Sequence, residues 1–202
     1  MKKLKPYADF LYEVGILNLT TRSGFRHLGG WKQSIAEHTH RMLFIALILA
    51  NFEKEKGKKI DTQKLLEMCM MHDFGEARAL DLDWISQKYN TSDELRAVED
   101  SVKDLSLGDR LLNLYIEYKE RKTIESILAK EADHLELLLT LREIEENGNK
   151  QAKDWIKPSL KRLKTDIGKK IAREIIKTSP TDWWYANKKD NYWIVGGGKG
   201  KK

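Results

Sequence analysis

The 202-residue chain predicts an all-α fold, and three observations carry that prediction. Apolar residues recur at intervals of three and four over long stretches, no run alternates as a half-buried strand would, and the only prolines are Pro6, Pro158 and Pro180. A hydrophobic content of 41% over this length fills one compact core. A single helical domain is therefore expected over residues 1–180, followed by an extension over 181–202 that is first aromatic and then rich in glycine and lysine.

Each element has a local reason. Ser34 and Glu37 make a capping-box pattern that opens a helix running to Phe52, and residues 54–59, with Gly57, read as the turn after it. Asp61 caps the next helix, expected to run to Phe74. Ser92 starts another through Leu105, Gly108 breaks it, and residues 111–118 resume. Residues 123–146 form a long amphipathic helix closed by Asn147-Gly148. Two further helical pieces flank Pro158, and the final IVGGGKGKK, which has no apolar face, reads as a mobile tail.

Charge and composition exclude several function classes. A net charge of +6 invites a nucleic-acid partner, but the basic residues are interleaved with 31 acids, as in Glu53-Lys54-Glu55-Lys56, and such runs are solvated faces rather than phosphate-binding stripes. The longest apolar run, residues 42–50, is far short of the ~20 needed to cross a bilayer. The N-terminal MKKLKPYADFLYEVG interrupts its apolar residues with Asp9 and Glu13, so neither a secretory segment nor a membrane partner is expected. Cys69 alone cannot form an internal disulfide, which makes a reducing, cytoplasmic location the default.

Against this helical background some polar residues stand where apolar ones belong. His38 lies in line with Met42, Ile45, Leu49 and Phe52, His72 with Leu65 and Cys69, and Asp133 with Ala129, Leu137 and Ile144. Three separate helices thus aim a histidine or an acid inward. An ionised aspartate removed from water costs several kcal/mol unless it is paired or coordinated, so Asp73 and Asp133 call for a positive partner. Imidazoles with carboxylates form a mixed nitrogen and oxygen shell suited to one divalent ion such as Mn, Co, Fe, Zn or Mg.

The set His38 in SIAEHTHRM, His72-Asp73 in MMHDFGEA and Asp133 in AKEADHLE resembles the HD superfamily of metal-dependent phosphohydrolases, whose pattern is a histidine, a His-Asp pair and a distant aspartate on helices. With the early TRSGF segment and HDFGEARALD, the chain is most similar to the 5'-deoxynucleotidase group over residues 4–145. The resemblance implies a helical, often dimeric enzyme that removes phosphate from deoxynucleoside 5'-monophosphates with a divalent ion. It also implies that His38, His72, Asp73 and Asp133 are the metal ligands, that Glu76 and Asp81 are the catalytic acids, and that Arg22 engages the substrate phosphate. In two places the chain departs from the group: Phe25 stands where tryptophan is common beside the substrate, and Leu80 where glycine commonly precedes the second acid.

That chemistry needs such an ensemble, because uncatalysed phosphate monoester hydrolysis is slow enough to demand up to ~10²¹-fold acceleration. The expected substrate is a small-molecule nucleotide and the expected assembly a homodimer. A second enzyme reading keeps the same shell but acts on a phosphodiester, a nucleoside triphosphate or another phosphorylated metabolite. A third, a structural metal with an RNA-binding surface, is disfavoured by Glu76 and Asp81, which a purely structural site does not need. His40 and His134 point off the site as structural residues, Cys69 packs as a small apolar side chain, and His27 lies near the phosphate loop. Asp83 is an alternative to Asp81. The aromatic Trp183-Trp184-Tyr185 and Tyr192-Trp193 are expected to pack on the domain or seal a dimer contact.

Overall fold

The computed structural model describes residues 4–185. Pro6 stands in the first turn of α1 (Lys5–Ile16), where its missing N–H has no partner to lose. The Ser34–Glu37 capping box forms and opens α2 (Ile35–Glu55), and Asp61 accepts from the Lys64 N–H at 3.0 Å to start α3 (Thr62–Met71). There follow the single turn α4 (Glu76–Ala79), then α5 (Glu94–Val102), α6 (Gly108–Glu120), α7 (Ile124–Glu146), α8 (Ala152–Lys161), α9 (Asp166–Lys177) and a last turn, α10 (Asp182–Tyr185). Among the described residues there is no strand, only an isolated antiparallel bridge between Thr21 and Ser34.

Helix α7 is central, touching α2, α3, α6, α8 and α9. Its Leu128, Leu135, Leu138 and Leu141 meet Met42, Ala46 and Leu49 of α2 and Leu65, Met68 and Cys69 of α3 in one buried cluster. Each large aliphatic side chain in it contributes about 1.5–3 kcal/mol. At the far side of α7 the Glu131 carboxylate accepts from the Lys164 N–H and from Thr165 Oγ1 (2.8 Å), which ties down the start of α9. Gly168 is required there, since a Cβ would lie 1.8 Å from Glu131 Oε2.

The architecture differs from the sequence expectation at several points. Helix α1 was outside the expected elements because its apolar residues are interleaved with charge and none becomes fully buried. Helix α3 ends at Met71, not Phe74, so that His72 closes it and Glu76 opens the next turn. Asp93, not Ser92, caps α5, accepting from the Arg96 N–H at 3.1 Å. Gly108 begins α6 rather than interrupting a helix, because the chain passes so close to Val102 that a Cβ would sit 2.1 Å from its carbonyl oxygen. Pro158 lies inside α8; burial of Ala152, Ile156 and Ser159 along one face, next to α7, holds the helix through the lost hydrogen bond.

The inward stripe of α2 also ends differently. Phe52 is 40% exposed, and Glu53 is buried instead, its carboxylate paired with Lys56 and Lys58. Trp183 borders a hollow of about 850 Å³ with Phe52, Leu139, Ile171 and Ile175, yet remains 86% exposed. Tyr192-Trp193 and the IVGGGKGKK tail lie outside the described residues. No helix among those described is long and apolar enough to cross a membrane.

Candidate metal and phosphate site

Helices α2, α3 and α7 pack against one another and bring His38, His72 and Asp133 together, one ligand atom from each lying within 4.8 Å of the others. His38 stands one turn into α2, His72 at the C-terminal cap of α3 and Asp133 midway along α7. Both histidines are completely buried and form the back wall, whereas the side chains of Asp73 and Asp133 retain 21% and 12% exposure and form the mouth. The Nε2 atoms of His38 and His72 are 3.2 Å apart. Asp133 Oδ1 is 3.4 Å from His38 Nε2, and Asp73 Oδ2 is 2.9 Å from His72 Nε2 and 3.8 Å from His38 Nε2.

The hydrogen bonds behind these atoms decide what the cluster can hold. His72 Nδ1 lies 2.7 Å from the Cys69 carbonyl, which can only accept, so Nδ1 carries the proton and Nε2 presents a lone pair. His38 Nδ1 donates to Glu136 Oε2, which leaves its Nε2 as the second lone pair. Two acceptors and two carboxylate oxygens thus face one another. A divalent ion bonded at about 2.0–2.2 Å separates its ligand atoms by roughly 3–3.5 Å, and the spacings of 2.9–3.4 Å match that. Burial and Arg22 work against protonation of His38, yet Asp133 and Glu136 outweigh them and raise its pKa, a second sign that the site attracts positive charge.

Asp133 is prepared for the role from behind. Its Oδ2 accepts from Lys130 Nζ at 2.6 Å and from the Tyr118 hydroxyl at 3.2 Å, leaving Oδ1 toward the histidines. Burial disfavours its ionised form, but Lys130 and His38 hold its pKa well below the ordinary carboxylate value. Asp73 is likewise held down against burial by His72 and His38. Glu76 goes the other way: burial, with the Asp73 and Asp81 charges, pushes its pKa up to about 10, so at neutral pH it carries a proton.

Arg22 reaches the same place from the loop between α1 and α2. Hydrogen bonds from Arg22 N–H to the Gln33 carbonyl and from Ile35 N–H to the Thr20 carbonyl, each 2.9 Å, close that loop onto the start of α2. Ser23 N–H donates to Asp81 Oδ2 at 2.6 Å, so Asp81 fixes the loop that carries Arg22. Burial raises the Asp81 pKa and the Ser23 bond opposes the rise. Arg22 Nη1 is buried with no hydrogen-bond partner among the described residues and has a 3.8 Å ion pair with Glu136, while the Ser23 side chain also lies toward Asp81. Phe25 is buried 5.8 Å beneath the guanidinium and, with Arg22, Gly24, Asp81, Trp84 and Trp155, lines a cavity of about 130 Å³. Leu80, where the resemblance expects glycine, has φ +63°, a conformation that glycine favours.

The other candidates lie apart, except Asp83, which borders the same cavity as Arg22 and Phe25. His40 is exposed and edge-on to Phe44, His134 is half-buried with its pKa lowered to about 4 by burial, and Cys69 is buried with its thiol pKa raised. Asp83 closes its own loop, accepting from the Ile85 and Ser86 N–H groups and pairing with Arg26 (2.7 Å) and His27 (3.2 Å). Sequence reasoning missed Glu136, Arg41, Lys130 and Tyr118. The signal was spacing: Lys130 and Glu136 stand one turn either side of Asp133, and Arg41 one turn after His38.

Comparison with known proteins agrees with this geometry. The 5'-deoxynucleotidase HDDC2 of Dictyostelium discoideum is 31% identical over 147 residues, covering 69% of this chain and 77% of that protein. The zebrafish (Danio rerio) protein of the same name is 26% identical over 145 residues, covering 68% and 69%. Among solved structures, a conserved hypothetical protein from Pyrococcus furiosus superposes with a TM-score of 0.73 at 31% identity, over 85% of this chain and 99% of that one. A model of the HD domain matches residues 14–175, a span that contains His38, the His72-Asp73 pair and Asp133, and the chain belongs to the HD domain family.

Proposed function

We propose that the protein is a metal-dependent phosphomonoesterase that removes the 5'-phosphate from nucleoside or deoxynucleoside monophosphates. The observation that carries this reading is the buried Arg22 Nη1, without a hydrogen-bond partner among the described residues, beside the converging His38, His72, Asp73 and Asp133. Buried donors without acceptors are costly, and a phosphate supplies acceptors of the right charge. The deoxynucleotidase relative adds the nucleoside portion, for which the cavity walled by Phe25, Trp84 and Trp155 offers an apolar seat.

In this reading His38, His72, Asp73 and Asp133 hold one divalent ion, which when bound activates water and polarises a phosphoryl oxygen. Arg22 and Ser23 bind the non-bridging oxygens and turn the ester so that its leaving oxygen faces the acids. As the oxygen of water bonds to phosphorus and the P–O5' bond breaks, protonated Glu76 gives its proton to O5', and the proton released by the attacking water returns to the Glu76 carboxylate. Asp81 keeps the Ser23 amide, and with it Arg22, in place. The homodimer and the cytoplasmic location belong to the same proposal, and light scattering on the purified protein tests the first.

The experiment is phosphate release from a panel of nucleoside and deoxynucleoside monophosphates with added Mn²⁺ or Co²⁺. Turnover that disappears in His72→Ala and Asp73→Ala supports the reading. Undiminished turnover in those variants refutes it, and pyrophosphate or triphosphate as product transfers the same residues to a different hydrolase.

A further inference from the structure

Glu136 is completely buried, and its two oxygens do different things. Oε1 is anchored: it accepts from Gln33 Nε2 (2.7 Å), Arg41 Nε (3.0 Å) and Nη2 (2.7 Å), and the Thr140 hydroxyl (3.1 Å). Oε2 is turned to the site, accepting from His38 Nδ1 and lying 3.8 Å from Arg22 Nη1. One rigidly held carboxylate therefore touches both a residue facing the cation position and the arginine facing the phosphate position. Arg41 is itself braced by Glu143 at 2.5 Å, so the anchor extends from α2 to the outer turn of α7.

We propose that Glu136 is a positioning residue that sets the metal half and the phosphate half of the site together. Through His38 it keeps the Nδ1 proton in place, so that the Nε2 lone pair faces the cation. Through Arg22 it holds the guanidinium in register with that cation while leaving Nη1 without a hydrogen bond for the phosphate. A neutral residue in its place weakens both effects at once, since His38 is free to move its proton to Nε2 and the buried Arg22 loses the one of its four neighbouring acids that also holds His38 Nδ1. The proposal rests on the metal and phosphate reading given above.

The test is calorimetric titration of metal-free protein with Mn²⁺, combined with inhibition by inorganic phosphate and the separate effects on kcat and KM. Glu136→Gln, which keeps the volume, is expected to weaken Mn²⁺ binding by ~10–100-fold, the usual consequence of losing the group behind a ligating histidine. Weakened phosphate inhibition and a raised KM are expected alongside. Glu136→Asp keeps the charge and should recover part of both. Glu131→Gln alters an equally buried glutamate of the same helix away from the site, and is expected to lower the melting temperature with Mn²⁺ affinity unchanged.

A folded Glu136→Gln that binds Mn²⁺ and phosphate as the wild type does overturns the proposal. Should that variant not fold, Glu136→Asp decides in the same way: weakened binding supports the proposal and unchanged binding overturns it. His38→Ala separates this from the underlying reading. Retained Mn²⁺ binding in His38→Ala sinks the metal site itself, whereas loss there with normal binding in the Glu136 variants sinks only the role of Glu136.

Discussion

Two of the buried glutamates of helix α7, Glu131 and Glu136, lie five residues apart and stand in regions of different kinds. Glu131 faces the link between α8 and α9, where its oxygens are taken up by a backbone N–H and a threonine hydroxyl. Glu136 faces the polar meeting of α2, α3 and α7, where its neighbours are charged, and where Arg22 Nη1 and Glu76 Oε2 find no hydrogen-bond partner among the described residues. Both regions bury charge beside the same helix. A closed polar network holds two helices together, whereas an open one keeps donors, acceptors and a proton in reserve for a ligand.

The sharpest way to break this contrast is to remove the reserve. His72→Ala or Asp73→Ala should lower phosphate release by about 10³-fold or more, the equivalent of several kcal/mol of lost charge stabilisation. Reversible inactivation by a chelator, restored by Mn²⁺, checks the same point without mutation. Arg22→Gln comes next: loss of a charged donor to phosphate is expected to raise KM by about 10–100-fold, with a lower melting temperature alongside, because Asp133, Glu136, Asp73 and Asp81 lose a buried positive neighbour.

On the closed side the effects should appear in stability alone. Gly168→Ala forces the Glu131 carboxylate away from Lys164 and Thr165, costing about 1–3 kcal/mol in denaturant unfolding while activity per folded molecule is kept. If Gly168→Ala abolishes turnover in folded protein, the two regions are not separable. Leu80→Gly should stabilise by ~1 kcal/mol by relieving the left-handed backbone beside Asp81.

The smallest expected effect comes from Glu53. Its pKa lies below the ordinary 4.5 because Lys56 and Lys58 bond and pair with it. Its contribution is therefore fully present above pH 4.5 and is lost as the pH falls through the lowered value. With both lysines about half exposed, roughly 0.2–1 kcal/mol is at stake, seen as a shallower loss of stability in acid for Glu53→Gln than for the wild type.

Much of the candidate site was legible because its inward polar residues are one-dimensional signals. A histidine on an apolar stripe, or an aspartate at a core position, violates the helical pattern in a way that residue spacing alone exposes, and His38, His72 and Asp133 do meet. Glu136 was not legible in the same way. Glutamate is common on helices, and only its partners on α2 and in the loop before it distinguish a buried hub from a solvated acid. Pro158 and Gly108 were misread for a related reason: local propensity marks both as breaks, but packing next to α7 carries one through a helix and close approach to Val102 puts the other at a helix start.

What the residue order alone determined, then, was the helical class, the caps at Ser34 and Asp61 and the inward-pointing His38, His72 and Asp133, because these follow from periodicity and from side-chain bonding within a few residues. What the tertiary structure decided was which lone pairs and protons face one another. The tautomers of His38 and His72, the protonated state of Glu76 and the reserve of Arg22 depend on groups brought from distant segments into a dry interior, where a charge is set by its neighbours and not by its place in the chain.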